Sequence, residues 1–429
     1  MLRAFVNAFK IPDLRKKILF TLFIIAVYRV GSFLPVPNID VNALQSATQS
    51  PQQGFLSFIN LFSGGALTRF AVFALGIMPY ITSSIIMQLL TVVIPKLEQW
   101  QKMGEVGQKK ITQWTRYMTV TLALLQSTGL IFLFNNQFRD PQTGQSVVVQ
   151  FTPNRVAFMV ITLTAGTALI MWLGELITQR GIGNGMSILI FTSVISEMPS
   201  QGYAILRQNQ TAFWIILALG ILIIVAVVFM EQGQRRIPVQ YAKRVVGRRM
   251  TQGGSTYIPL KVNQSGVIPI IFASSVLYFP TLLGSVITWP PFQRFVNGTL
   301  LNQASPVYMV IYALLVVFFA YFYTAIQFNP TDTADNIRKY GGFIPGIRPG
   351  RPTAEHLDHI LTRITLPGSL FLATIALIPS IALALLLVGQ AEQFPFGGTS
   401  ILIVVGVALE TMKQLESQLT MRHYEGFLR

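Results

Sequence analysis

The chain has no cysteine at all. Disulfides, thiolate nucleophiles and cysteine-held metal ions are therefore excluded. Histidine is almost as scarce: its three copies, His356, His359 and His423, all lie outside the apolar runs. His356 and His359 stand one helical turn apart, yet no third ligand is spaced to close a metal site around them. Neither H-E-x-x-H nor G-x-S-x-G occurs. Gly181-Ile182-Gly183-Asn184-Gly185 looks faintly like a phosphate loop, but it follows no strand and joins two apolar runs, so a tight turn explains it. No catalytic residue, cofactor or metal site is expected. Charge is low too, at 11% of residues against about 25% in soluble domains.

What is there instead is hydrocarbon. Hydrophobic residues make up 52% of the chain, in runs long enough to cross a bilayer, which predicts a polytopic helical membrane protein. Ten spans are predicted: Ile18–Leu34, Gly76–Ile94, Trp114–Phe134, Pro153–Ile177, Met186–Ser196, Ala212–Met230, Gly266–Ile287, Pro306–Ile326, Leu366–Val388 and Thr399–Leu415. The fifth is short, between a Gly-rich turn and Pro199. Residues 1–17 carry Leu2, Phe5, Val6 and Phe9 at helical spacing among basic residues, which suits an interfacial helix rather than a cleaved signal.

The net charge of +16 is unevenly spread. Most Lys and Arg fall at the N-terminus, in the connections after spans two, four, six and eight, and in the C-terminal tail. The opposite loops hold only Arg69, Arg139, Arg155, Arg207 and Arg294. The positive-inside rule then places both termini in the cytoplasm.

Gly54 to Pro95 is too long for one span and too broken for two. Phe55 to Phe62 reads as a helix of about 12 Å, Ser63-Gly64-Gly65 interrupts it, and Arg69 adds a charge costly in mid-bilayer. A broken backbone needs protein or water around it, so this segment is expected to be enclosed. An internal repeat follows: Gly76-Ile77-Met78-Pro79-Tyr80-Ile81-Thr82-Ser83-Ser84 aligns with Gly266-Val267-Ile268-Pro269-Ile270-Ile271-Phe272-Ala273-Ser274. Matched spans five apart predict two halves of five, opposite in orientation. Ile81 and Ile85 share a helix face, and Ile271 is the repeat partner of Ile81. A ring of such side chains would make a constriction that excludes water and ions. The rival reading is an inverted-repeat carrier of a small solute. The absence of mid-membrane acids tells against ion coupling, with Glu175, Glu231 and Glu410 all near span ends.

Two loops are too large for connectors. Residues 232–263 alternate on either side of Gly253-Gly254-Ser255, which predicts a projecting hairpin. Its Arg235, Arg236, Lys243, Arg244, Arg248 and Arg249 suit a polyanionic partner, either RNA phosphate or an acidic protein face. Residues 327–362 are dense in Gly and Pro and predict a compact loop without long helices.

Several runs together resemble the SecY family, the central subunits of the bacterial protein-conducting channel. They are Phe62-Ser63-Gly64-Gly65-Ala66-Leu67, Gly76-Ile77-Met78-Pro79-Tyr80-Ile81, Gln113-Trp114-Thr115-Arg116-Tyr117, the turn at Gly181–Gly185, Arg235–Arg244, Gly266-Val267-Ile268-Pro269 and Gly341–Gly350. The resemblance covers the whole chain. It implies an all-α channel of ten transmembrane helices in two inverted pseudo-symmetric halves, residues 18–200 and 201–415, followed by a cytoplasmic tail at 416–429. It also implies a re-entrant plug at 55–69 that includes Phe58, Asn60, Phe62, Ser63, Gly64, Gly65 and Arg69. The constriction would comprise Ile81, Ile85, Ile190, Ile271 and Ile403, with Ile268 adjacent. Met186 and Leu189 stand where relatives commonly carry isoleucine. Gln88, Thr91 and Asn263 resemble polar positions of a lateral gate. The two large loops, with Arg348 and Arg351 on the second, resemble docking surfaces for the ribosome and the SecA motor ATPase. Other implied partners are the SecE and SecG subunits, signal sequences, nascent polypeptides and anionic lipids, in the bacterial plasma membrane.

Overall fold

In hydrocarbon every backbone N–H and C=O must find its partner inside the chain, so apolar runs of this length fold as helices. The computed structural model describes the chain except for residues 1–8, 41–43, 45–59, 61, 138–145, 209, 242–243, 247–248, 252–254, 287–288, 301–304, 387–397 and 428–429. In the first half the helices are α1 (Pro12–Gly31), α2 (Met78–Val93), α3 (Pro95–Lys102), α4 (Glu105–Gln137), α5 (Pro153–Arg180) and α6 (Gly185–Gln208). The second half contributes α7 (Gln210–Gln232), α8 (Ile268–Val286), the short α9 (Pro290–Phe295), α10 (Pro306–Gln327), α11 (Pro330–Lys339), α12 (Arg351–Leu386) and α13 (Gly398–Phe427). Ten of these match the ten predicted spans. Among the described residues, five helices are long and apolar enough to cross a membrane unaided, six if α2 and α3, bent by 101°, form one broken span.

Among the described residues the halves pack mainly along two lines. On one side α8 packs against α2 and α4; on the other α6 packs against α7 and α13. One apolar core runs through both halves. A smaller cluster gathers Leu14 and Ile18 of α1, Ile182 of the turn after α5, and Leu415 and Leu419 of α13. The start of the first span and the end of the last thus lie at one end of the molecule, as an even number of spans requires. By contrast α7 is nearly all exterior, with only 11% of its apolar stretch buried inside the chain. That is a lipid-facing helix.

Two expectations need correction. Pro199 does not end the fifth span: it sits inside α6, which continues to Gln208, so the boundary drawn at 200/201 falls within a helix. Membrane helices tolerate such prolines where neighbouring groups serve the disturbed backbone. Nor is 327–362 free of long helices. It holds α11 and the start of the 36-residue α12. Pro330 and Pro352 stand in first turns, where proline initiates a helix rather than breaking it. Asn329 caps α11 through the backbone N–H groups of Thr331 and Asp332.

The hairpin forms as alternation predicts. Strand β1 (Gln234–Tyr241) pairs antiparallel with β4 (Ser255–Lys261), Ile237 facing Ile258, while β2 (Arg244–Val246) and β3 (Arg249–Thr251) form its outer part. The other edge of β1 takes a strand from the second loop, β5 (Gly342–Phe343), with Gln240 opposite Phe343. The two loops are therefore one folded unit. Ile237, Val239 and Leu260 of the sheet share a core with Ile337 of α11, Ile344, and Leu357, Ile360 and Leu361 of α12.

Candidate functional site between the two halves

Ile81 and Ile85 come from α2, Ile190 from α6, Ile271 from α8 and Ile403 from α13; all five are buried in the same core, and Ile268 is packed against it. Four helices from both halves thus bring these branched side chains into one apolar body. Phe62, Ala66, Leu67 and Phe70 from the segment before α2 belong to it too. A cluster this dry offers water and ions no partners.

Of the expected plug, Phe55 to Ile59, with Phe58, and Leu61 lie outside the described residues. The rest is a compact knot. Asn60, Phe62 and Ser63 are helical, Gly65 N–H donates to the Asn60 carbonyl at 3.2 Å, and Leu67 N–H donates to Ser63 Oγ at 3.2 Å. From Phe70 onward the chain is stitched to the strand-like residues after α1. Val36 N–H donates to Phe70 O at 2.9 Å and Val72 N–H to Leu34 O at 2.8 Å. Phe70 itself is buried with φ +44°, a conformation a bulky residue holds only when its surroundings impose it, at a cost of about 1–3 kcal/mol. Its ring meets Phe134 of α4 edge-on at 4.8 Å. Arg69 lies just outside, its guanidinium 4.1 Å from the Phe33 ring.

The contact of α8 with α2 and α4 closes one side. Gln88 and Thr91 lie on α2, Thr91 Oγ1 donating to Gln88 O at 2.6 Å, while Gln88 Oε1 is buried without a hydrogen-bond partner among the described residues. The Asn263 amide, ahead of α8, donates to Glu231 Oε1 of α7 at 2.6 Å and to Gly266 O at 3.0 Å. Gln126 of α4 was not singled out in the sequence, although a lone amide inside an apolar run was its signal. It is fully buried, with neither amide atom paired among the described residues. Unpaired buried amides destabilise by about 1–3 kcal/mol each.

Two of the three acids near span ends, Glu175 and Glu231, are occupied within the chain. Glu175 of α5 takes two bonds of 2.7 Å from Arg116 of α4, a fork-on-fork pair that holds these helices as one body. Glu231 holds Asn263, and its backbone carbonyl accepts from Lys413.

On the sheet unit, Arg235 and Arg236 are both exposed, but neighbours on a strand face opposite ways. Arg236 lies over the Tyr257 ring at 4.8 Å. Arg348 is exposed in the turn before α12, and Arg351 is exposed but paired with Glu355 at 3.0 Å. Lys243 and Arg248, and the side chains of Arg244 and Arg249, lie outside the described residues.

The SecY family model matches residues 71–412. Relatives include protein translocase subunit SecY of Streptomyces scabiei, 55% identical, and that of Mycobacterium tuberculosis H37Rv, 50% identical, each aligned over 100% of both chains. Among solved structures, a protein conducting channel matches with a TM-score of 0.61 over 96% of each chain at 16% identity. A SecY structure, described as one whose plug domain stabilises the closed state and maintains a membrane seal, matches with a TM-score of 0.63, also at 16% identity over 96% of each chain. Canine Sec61 in a ribosome–channel complex matches with a TM-score of 0.56, with the same identity and coverage. At such identity these structures show the shared fold.

Proposed function

The chain belongs to the SecY family of protein translocase subunits, and from that premise we propose how it carries polypeptide. The pore runs between the two halves through the constriction of Ile81, Ile85, Ile190, Ile271 and Ile403, with Ile268 beside it. One observation supports this most directly: residues from both halves and from the segment before α2 meet in one apolar core. A greasy, branched ring conforms around a chain of any sequence without binding it, and excludes ions when empty. The segment around 55–69 is the plug, anchored at its end by Phe70. The contact of α8 with α2 and α4 is the lateral gate, through which an apolar signal helix passes into lipid. The side where α6 meets α7 and α13 is the hinge.

The sheet unit lies in the cytoplasm, with both termini, and presents Arg235, Arg236, Arg348 and Arg351, with the hairpin's Lys243, Arg244, Arg248 and Arg249, to the SecA motor ATPase or the ribosome. SecE and SecG complete the complex in the bacterial plasma membrane, where basic loops meet anionic lipid. Energy comes from these partners. A small-solute carrier is disfavoured by the family and by the in-chain partners of Glu175 and Glu231.

The test uses the absence of cysteine. Ile85→Cys or Ile190→Cys gives the chain a single thiol on which to place a photocrosslinker. A stalled translocating polypeptide should crosslink there and not to a probe on the lipid-facing Leu222 of α7. Equal crosslinking at both sites would remove the pore assignment.

A further inference from the structure

Two consecutive residues of α1 reach the neck of the segment that precedes α2. Arg29 Nη1 donates to the Gly64 carbonyl at 2.8 Å and to Ser196 Oγ of α6 at 2.8 Å. Tyr28 Oη shares a hydrogen bond of 2.6 Å with Ser193 Oγ of α6 and lies 3.4 Å from the Ser63 carbonyl. Ser193 and Ser196 are one helical turn apart, so the two side chains run in parallel from α1 across the neck to α6. The backbone at Ser63 and Gly64 is held through its two carbonyl oxygens, which accept from Tyr28 and Arg29. Gly64, at φ +63°, fits closely enough that a Cβ there would lie 3.1 Å from Ser193 Cα and 3.2 Å from Ser196 Oγ. The Glu197 carboxylate occupies the space beside Gly65 where a side chain would stand. Downstream, the chain is fixed independently at Phe70 to Val72.

We propose that Arg29, seconded by Tyr28, is the latch of the plug. It holds the neck on α1 and α6, so opening requires Arg29 to surrender the Gly64 carbonyl. Carbonyl acceptors make the latch independent of the plug's own side chains. A hydrogen bond from a charged donor shifts an equilibrium by about tenfold or more. That is strong enough to keep an idle channel shut and weak enough for an arriving polypeptide to break. The proposal rests on the plug reading above, and the experiment separates the two.

The measurement is resting ion conductance in planar bilayers of the full-length chain, purified with the subunits that accompany it. Arg29→Ala should raise open probability about tenfold, with Arg29→Lys intermediate because an ammonium lacks the guanidinium's planar fork. In a chain lacking Phe55–Arg69, Arg29→Ala should add nothing further. Gly64→Cys with Ser196→Cys, placed in the Arg29→Ala background, should reseal on oxidation and leak again on reduction. If Arg29→Ala stays tight while the deletion leaks, the latch is refuted and the plug stands. If the deletion itself stays tight, the plug reading falls. A leak from Arg29→Ala that persists additively in the deletion chain places its action elsewhere and overturns the latch. Should Arg29→Ala not accumulate, Tyr28→Phe and Ser196→Ala carry the same readouts: a leak from both that vanishes in the deletion chain sustains the latch, and tight channels from both refute it.

Discussion

Gly76 and Gly266 begin the two matched helices, and their local structure is the same. Their φ values are +56° and +62°, the helices α2 and α8 start two residues later, and proline follows at once. Ile81 and Ile271 donate their N–H groups to the Ile77 and Val267 carbonyls at 3.1 and 3.3 Å, and both are buried to a similar degree, 7% and 8% exposed. Their surroundings are opposite. A Cβ on Gly76 would meet the Phe62 carbonyl at 2.8 Å; on Gly266 it would find nothing within 4 Å. The repeat builds two equal helix starts, and what the chain inserts ahead of each makes them different. Ahead of Gly76 it inserts a segment that folds back over the helix start. Ahead of Gly266 it inserts the sheet unit, tied by Asn263 to Glu231 and by its core to α12. One helix start is covered and the other is steered.

That contrast can be broken from either side. The largest effect is expected at the steered end: Arg348→Glu should reduce motor-driven translocation into vesicles at least about a hundredfold, since it puts like charge against an acidic partner. Membrane insertion of the subunit itself should be unchanged; near-normal transport would remove Arg348 from the docking surface. Deleting Phe55–Arg69 should make the Gly76 start as uncovered as that of Gly266, giving a channel that assembles but conducts ions at rest. Next comes a matched pair. Gly76→Ala combines a left-handed backbone strain of about 1–2 kcal/mol with a clash against backbone, and should loosen the seal. Gly266→Ala incurs the strain alone, so thermal unfolding should shift less and resting conductance hardly at all. Equal effects would mean that the cover over Gly76 is not a tight one. The smallest effect on transport is expected within the first half: Gln126→Leu removes an unpaired buried amide and should stabilise the fold by about 1–3 kcal/mol, measured as a rise in thermal unfolding with resting conductance unchanged.

Much of this was legible in order along the chain. Ten spans follow from hydropathy, and the break at Ser63-Gly64-Gly65 from helix length against bilayer thickness. Ile81 and Ile271 follow from the repeat, because matched residues meet near the axis that relates the halves. Ile190 and Ile403 have no such mark; only their likeness to a family singled them out, and only packing brings them into one core with the others. The partners of the Asn263 amide, Glu231 and Gly266, were not legible either. An amide's neighbours depend on which helices flank it, and no spacing rule encodes that. The union of the two large loops was invisible too. Strand β5 is two residues long and pairs with β1 across about a hundred residues of sequence, too little pattern at too great a distance.

The sequence by itself determined what each segment must be: helix where apolar runs leave the backbone no partner but itself, left-handed turns where glycine precedes a matched helix, and alternation where β1 and β4 pair. These are local consequences of period and bilayer thickness. The tertiary structure alone decided which surfaces face one another. It set the plug's neck under Arg29 and Tyr28, Glu175 on Arg116, and α8 against both α2 and α4. Such contacts join residues far apart in sequence, and the energy of each lies in a hydrogen bond or a shared apolar face that exists only once the helices have packed.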